Sequence, residues 1–284
     1  MYEIIDASSW ERDEYKGKGS KEKIMLVEPE TRRLVMFKYA TEGSGDTWSE
    51  KIASEIGKCI GYNVQEVKLG VFNGIHGSLS YWFLERGDPL YEGADLVEND
   101  EFDVRSRPNL QFIKQLLDCD NEGLFPKFME IVIFDILIGN TDRHMENWGI
   151  IKDENGLSSL APAYDNSSSL GREFNSNPVK LGIRLKNSRV FEQYCKKGIY
   201  FYGWLGEEKI PHLKYSEIIY SNYSDIIYPH VIKLNKLTDQ LINDIIRRIP
   251  HNIMTTDLKD FVVRFLIYRR NYLLNLIKGD NDEC

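Results

Sequence analysis

Apolar residues fall in short alternating runs over the first third of this chain and in longer, helix-spaced stripes over the rest. Residues 23–28 and 34–39 are apolar runs on either side of Pro-Glu-Thr-Arg-Arg, a pattern that predicts a β-hairpin. Within residues 48–60, Ile52, Ala53, Ile56 and Ile60 share one helical face; Asp46 or Thr47 can cap its start, and Gly61 ends it. Residues 63–72 and 79–85 predict two further strands around the turn pair Asn73-Gly74. Strand, strand, helix, strand, strand is the order this region is expected to show.

Residues 86–108 break the pattern. They are polar and acidic, carry Gly87, Pro89 and Gly93, and read as a hinge and surface crossover. Helical spacing follows at 110–117 and, most strongly, at 125–139, which is apolar almost all round and so is expected to be buried. Residues 148–152 and 157–160 predict a hairpin across Asp153-Glu154-Asn155-Gly156. Beyond Pro178 the spacing is mostly helical, ending in a stripe over 256–278 that includes Leu258, Phe261, Phe265, Leu273 and Ile277. The aromatic run at 194–204 belongs in a core. The fold class implied is α+β and two-lobed, with residues 1–86 as a β-rich N-lobe and residues 87–284 as a mainly helical C-lobe.

Composition narrows the function classes. A chain of 284 residues with 42% hydrophobic content has material for one large domain or two lobes around a cleft. Its net charge of −8 argues against the basic field of a nucleic-acid binder, so no direct nucleic-acid contact is expected. Cys59, Cys119, Cys195 and Cys284 show no CxxC spacing, which indicates neither a zinc site nor a disulfide framework and suits a reduced, cytoplasmic setting. The N-terminus has no basic region followed by an apolar run. The longest apolar stretch, 131–138, is interrupted by Asp135 and too short to cross a bilayer, so no membrane partner is expected.

The chemistry concentrates in residues 138–149, Ile-Gly-Asn-Thr-Asp-Arg-His-Met-Glu-Asn-Trp-Gly. Asp142 and Asn147 stand there, and Asp165 follows at the end of Ala-Pro-Ala-Tyr-Asp. Phosphoryl transfer from ATP needs one carboxylate to orient an acceptor hydroxyl, and an amide with a second carboxylate to hold Mg2+ against the phosphates. Asp, four residues, Asn, then a distant Asp is the order of a protein-kinase-like core. Asp142 is the candidate catalytic base; Asn147 and Asp165 are the candidate metal ligands, both offering the hard oxygens that magnesium takes. Each alone has an ordinary explanation as a turn or capping residue. Their shared order favours the kinase reading.

Lys38 is the lone charge in Leu-Val-Met-Phe-Lys-Tyr-Ala. Alternation with Val35 and Phe37 allows it a solvent-facing position, whereas an inward ammonium needs an anion such as ATP phosphate. Glu50 and Glu55 lie five apart on the following helix and cannot share a face, and Glu50 is the expected partner of Lys38. Gly17, Gly19 and Ser20 in Lys-Gly-Lys-Gly-Ser form a candidate phosphate loop, without the longer Gly-x-Gly-x-x-Gly form or a Walker A sequence. Glu85, at the end of the last predicted N-lobe strand, is a further candidate nucleotide-binding position. His144 is a candidate for proton transfer or for ordering the loop. No Gly-x-Ser-x-Gly or His-Glu-x-x-His occurs, which lowers hydrolase readings.

At these residues the chain resembles the HipA-like kinase family. The matching features are Ile138-Gly139-Asn140-Thr141-Asp142-Arg143-His144 with Asn147, then Tyr164-Asp165, and Glu50 about a helix before Gly61. The resemblance implies a two-lobed Ser/Thr protein kinase using Mg-ATP, often a toxin paired with an antitoxin protein. It marks Ser20 as a candidate for autophosphorylation. Aminoacyl-tRNA synthetases are among the family's protein substrates, though no residue here identifies one. The extra N-terminal subdomain of full-length members has no counterpart before the predicted N-lobe, so a compact form is expected. Two other readings stay open. Type II phosphatidylinositol 4-kinases are similar around Asn140-Thr141-Asp142-Arg143 and Asn147-Trp148, which keeps a lipid or small-molecule kinase in view, although no palmitoylation patch or polybasic helix is found. A nucleotide-binding pseudokinase is the third, against which the intact Asp142, Asn147 and Asp165 argue.

Overall fold

The computed structural model describes residues 1–14, 22–84, 89–97 and 108–278. Six strands form one N-terminal sheet: β1 (Ile4–Asp6), β2 (Glu11–Arg12), β3 (Lys23–Val27), β4 (Leu34–Tyr39), β5 (Val67–Phe72) and β6 (Ile75–Tyr81). Their spatial order is β1-β5-β6-β4-β3-β2, antiparallel throughout except for the parallel β1–β5 pair. The predicted hairpin is β3–β4, with Met25 opposite Met36. β6 begins at Ile75, earlier than its apolar run suggests, because Asn73 and Gly74 both take left-handed backbone and return the chain at once. Gly77, Ser78 and Ser80 had diluted the apolar signal. Gly77 is itself required: a Cβ there would stand 2.3 Å from the Lys38 carbonyl oxygen on the neighbouring strand.

Helix α1 (Asp46–Ile60) packs on this sheet. Its N-cap is Gly45, with no side-chain cap bond, rather than Asp46 or Thr47. Asp46 instead lies in the first turn, where its carboxylate accepts the N–H of Thr47 at 2.8 Å and suits the helix dipole. Gly61 closes the helix in left-handed backbone. Alternation along β4 sends Val35 and Phe37 into a small outer core with Leu26, Phe72, Leu79 and Tyr81. Met36 and Lys38 therefore belong to the opposite face, which α1 covers. Both sheet faces are occupied, so a polar position on β4 is not a solvent position.

The remainder is mainly helical: α2 (Leu110–Asp120), α3 (Leu124–Ile138), α4 (Pro178–Lys186), α5 (Ser188–Lys197), α6 (His212–Val231), α7 (Asp239–Arg247) and α8 (Thr256–Leu276). A second, antiparallel sheet joins β7 (Leu90–Glu92), β8 (Gly149–Lys152) and β9 (Ser158–Leu160). The β8–β9 hairpin follows the expectation. β7 lies in the stretch read as a crossover, and as a three-residue edge strand it is specified by its partner more than by its own sequence. The principal core runs without a break from Trp48, Ile52 and Ile56 of α1 through α3 to Phe261 and Phe265 of α8. Fully buried from residue 131 to 138, α3 is the rigid base from which the chain turns at Gly139. That residue has φ +70°, and a Cβ there would meet the Phe265 ring at 2.8 Å.

Candidate active site

Lys38 projects from β4 toward α1, where its Nζ stands 2.7 Å from Glu50 Oε1 and 3.5 Å from Asp165 Oδ1. Ser78, directly across from Lys38 on β6, donates its hydroxyl to Glu50 Oε2 at 3.2 Å. The two oxygens of Glu50 are thus held by two neighbouring strands. Glu55 faces another way and pairs with Lys51 at 2.7 Å. Burial alone would lower the pKa of the Lys38 ammonium, but the carboxylates of Asp165 and Glu50 outweigh it and hold the group above the ordinary lysine value. Lys38, Glu50 and Ser78 line a pocket together with Tyr39, Asp46 and Thr47.

Past Gly139 the loop is built from short-range bonds. Asn140 Nδ2 donates to Asp135 Oδ1 at 3.0 Å, and Asn140 Oδ1 accepts the Asp142 N–H at 3.1 Å. The Asp142 carbonyl accepts Asn147 Nδ2 at 2.6 Å, which joins the two ends of the loop. The Asp142 carboxylate is exposed and accepts the Ser168 hydroxyl at 3.3 Å. Asp165 takes left-handed backbone, φ +51°, and its carboxylate also accepts the Ser167 hydroxyl at 3.2 Å. A non-glycine residue held there marks a position defined by its surroundings.

Arg143 connects these pieces from beneath. Fully buried, its guanidinium donates to Asp135 Oδ1 at 2.8 Å, to the Asn147 carbonyl at 2.7 Å, to the Tyr164 carbonyl and to Asn166 Oδ1. One side chain therefore fixes the loops on which Asp142, Asn147 and Asp165 stand. Burial would lower the Arg143 pKa, but the Asp135 carboxylate raises it, so the cation is retained. Helix α1 joins the assembly through the Ser49 hydroxyl, 2.7 Å from the Ser167 carbonyl, and Trp48 Nε1, 3.3 Å from Asn175 Oδ1.

The structure thus brings Lys38, Glu50 and Asp165 into direct contact, and ties Asp142 and Asn147 to them through Arg143 and Ser168. His144 sits in the same loop, where its Nδ1 accepts the Glu146 N–H at 3.2 Å and its ring meets Phe201 edge-on. Gly17, Gly19, Ser20 and Glu85 lie outside the described residues. Asp135, Ser78 and Ser49 have no site role in the sequence reading, and Arg143 enters it only as part of the family motif. Asp135 carried a usable signal, because an acid in the apolar, fully buried second half of a helix requires a cationic partner.

Among the described residues no three His, Cys, Asp or Glu side chains gather as a metal cage. The donors on hand are one carboxylate, Asp165, and one amide. The Asn147 amide nitrogen is committed to the Asp142 carbonyl, so its oxygen is the atom presented. Two hard oxygens fit Mg2+, which keeps waters and takes phosphate oxygens in place of a full protein cage.

The sequence model of the HipA-like C-terminal domain matches residues 17–201. The chain belongs to this HipA-like family. A relative from Sinorhizobium fredii, named "Putative kinase Y4dM", is 27% identical over 156 residues, a segment covering 44% of this chain and 38% of that protein. The chain thus matches well under half the length of this relative. Among solved structures, the proinflammatory kinase CtkA of Helicobacter pylori superposes with a TM-score of 0.82 at 21% identity, over 99% of this chain and 98% of that one. A chain of the Shewanella oneidensis MR-1 toxin–antitoxin complex of HipA, HipB and operator DNA gives 0.50 at 16% identity, over 92% of this chain and 64% of that chain. These likenesses establish the α+β kinase fold with a β-sheet lobe and a helical lobe. No helix among the described residues is long and apolar enough to cross a membrane.

Proposed function

We propose that this chain is a Ser/Thr protein kinase that passes the γ-phosphoryl group of ATP to a protein hydroxyl. The observation that carries the proposal is the Lys38–Glu50–Asp165 chain of charges, set beside the Asp142–Asn147 loop and locked to it by Arg143. In this reading residues 1–86 form the N-lobe and residues 87–284 the C-lobe.

Lys38, held by Glu50 and Ser78, presents a fixed cation to the phosphates. Asn147 and Asp165 would hold Mg2+ through their oxygens, and the ion would supply neutralisation of phosphate charge. Asp142, exposed at the loop tip, orients the acceptor hydroxyl and takes its proton as the new P–O bond forms and ADP departs. Little covalent work falls to the protein, so positioning and preset electrostatics carry the rate. His144 serves this reading best as a residue that shapes the loop, since its ring is engaged with Glu146 and Phe201.

The proposal extends to Gly17, Gly19, Ser20 and Glu85 as the remaining nucleotide contacts and to Ser20 as an autophosphorylation site, both resting on the family resemblance. A restraining antitoxin partner and a cytoplasmic setting rest on the same ground. Support for a partner comes from the HipA, HipB and operator DNA complex, whose HipA-like fold this chain shares.

Incubation with γ-labelled Mg-ATP and a cell extract tests the acceptor class. Label in protein, absent with Asp142→Ala, supports a protein kinase. Label confined to lipid or small metabolites would replace that reading with the lipid or small-molecule one, and nucleotide binding without transfer would favour a pseudokinase. Intact-mass spectra after long exposure to ATP test Ser20 separately: one added phosphoryl group, lost with Ser20→Ala, is expected.

A further inference from the structure

Helices α4 and α5 form a basic surface on an acidic protein. Residues 178–197 carry six Lys or Arg and one acid, Glu192, a local charge of +5 within a chain of −8. Lys180, Lys186, Arg189, Lys196 and Lys197 are all exposed, and none has an ion-pair partner among the described residues. Elsewhere lysines pair readily, as Lys152 does with Asp120, Lys214 with Glu217 and Lys233 with Glu130. Arg184 is the cation of this stretch that is committed internally, stacked over Phe174 and Tyr194.

Two aliphatic side chains stand among these charges. Val179 and Ile183 are 73% and 50% exposed and lie one helical turn apart on α4, while Leu181 between them is buried. Both ends of the stretch touch the site. Just before it, Asn175 bonds Trp48 and the Ser44 carbonyl at the start of α1; just after it, Phe201 meets the His144 ring in the catalytic loop. The surface is therefore inserted between the segment that carries Asp165 and a neighbour of the loop that carries Asp142.

We propose that α4 and α5 dock an acidic peptide segment of the protein acceptor, with Val179 and Ile183 taking apolar side chains of that segment. Charge complementarity selects this occupant. A polyphosphate strand gains nothing from the two aliphatics. A bilayer surface is served by bulkier Trp, Phe or Leu anchors than a valine and an isoleucine on a nine-residue helix. The acceptor role rests on the protein-kinase reading above; the binding itself does not.

Fluorescence anisotropy with the full chain tests it. The probes are a labelled short peptide with Glu, Asp and Leu around one Ser, its charge-inverted counterpart, a single-stranded oligonucleotide, and phosphatidylglycerol vesicles. The acidic peptide is expected to bind most tightly, with affinity falling as salt rises. K180E/K186E/R189E/K196E/K197E, checked for folding by circular dichroism, should weaken it about tenfold or more. V179S/I183S should weaken it by a smaller factor. Equal binding of the two peptides, an unaffected charge-reversed variant, or preference for oligonucleotide or vesicle would overturn the proposal. Peptide bound through this surface but never labelled by Mg-ATP would leave the docking surface standing and remove the kinase reading. Peptide labelled with the same KM by wild type and charge-reversed protein would do the opposite.

Discussion

Arg143 and Asp135 meet in a fully buried ion pair, Nη2 to Oδ1 at 2.8 Å, on either side of the turn at Gly139. The pair joins the end of α3 to both loops of the candidate site. Removing one partner leaves the other charge buried without compensation. Asp135→Ala and Arg143→Ala should each lose about 3–5 kcal/mol of stability in denaturant titration. A loss below about 1 kcal/mol would mean that the pair is not holding these loops.

The pairing of Lys38 with Glu50 rather than Glu55 has a direct kinetic consequence. Glu50→Gln leaves the ammonium without its closest carboxylate and should lower kcat/KM for phosphoryl transfer on the order of 100-fold. Glu55→Gln, which disturbs Lys51 and Tyr2, should change transfer little. Equal losses in the two variants would contradict the assignment.

Much of this arrangement is legible in sequence. The apolar periods locate α1, α3, the β3–β4 hairpin and the β8–β9 hairpin, because each buries a face or stripe against a large partner. The spacing of Asp142, Asn147 and Asp165 identifies the candidate loops for the same reason a motif exists at all: the chain must turn at fixed points. What sequence leaves open is set across the chain. The side of β4 that Lys38 occupies depends on both sheet faces being covered, and the choice of Glu50 depends on Ser78, an unremarkable serine on another strand. The contact of Ser49 with the Ser167 carbonyl joins positions 118 apart. β1 and β2 are too short to announce themselves.

Gly139 offers a test of the turn that launches the candidate catalytic loop. Gly139→Ala must hold a left-handed backbone and push its Cβ toward the Phe265 ring, 2.8 Å away. A destabilisation of about 1–3 kcal/mol is expected from thermal unfolding. Full stability in the variant would show that the turn can form another way.

Acid sensitivity should centre on Glu130 of α3, whose carboxylate meets His230 of α6 and Lys233 just beyond it. Burial raises its pKa, but bonds from His230, the Asn63 N–H and Lys233 overcome this and lower it from the ordinary 4.5 to about 2. A carboxylate depressed on folding stabilises the native state above its unfolded pKa, and that contribution disappears as pH falls toward the folded value. Wild type should therefore lose on the order of 2 kcal/mol between about pH 5 and 2 through this group. Glu130→Gln should be less stable at neutral pH and show a flatter profile across that interval. An unchanged profile would rule out Glu130 as the source.

The shared role of Lys38, Asp142, Asn147 and Asp165 is tested most directly by calorimetric titration of ATP with and without Mg2+. Wild type should bind ATP more tightly with the ion present, and Asp165→Ala should lose that difference. Asp142→Ala should bind as wild type does while transferring no phosphate. Identical affinities with and without Mg2+, or an Asp165→Ala variant that keeps the full magnesium effect, would contradict a single nucleotide and metal site at these residues.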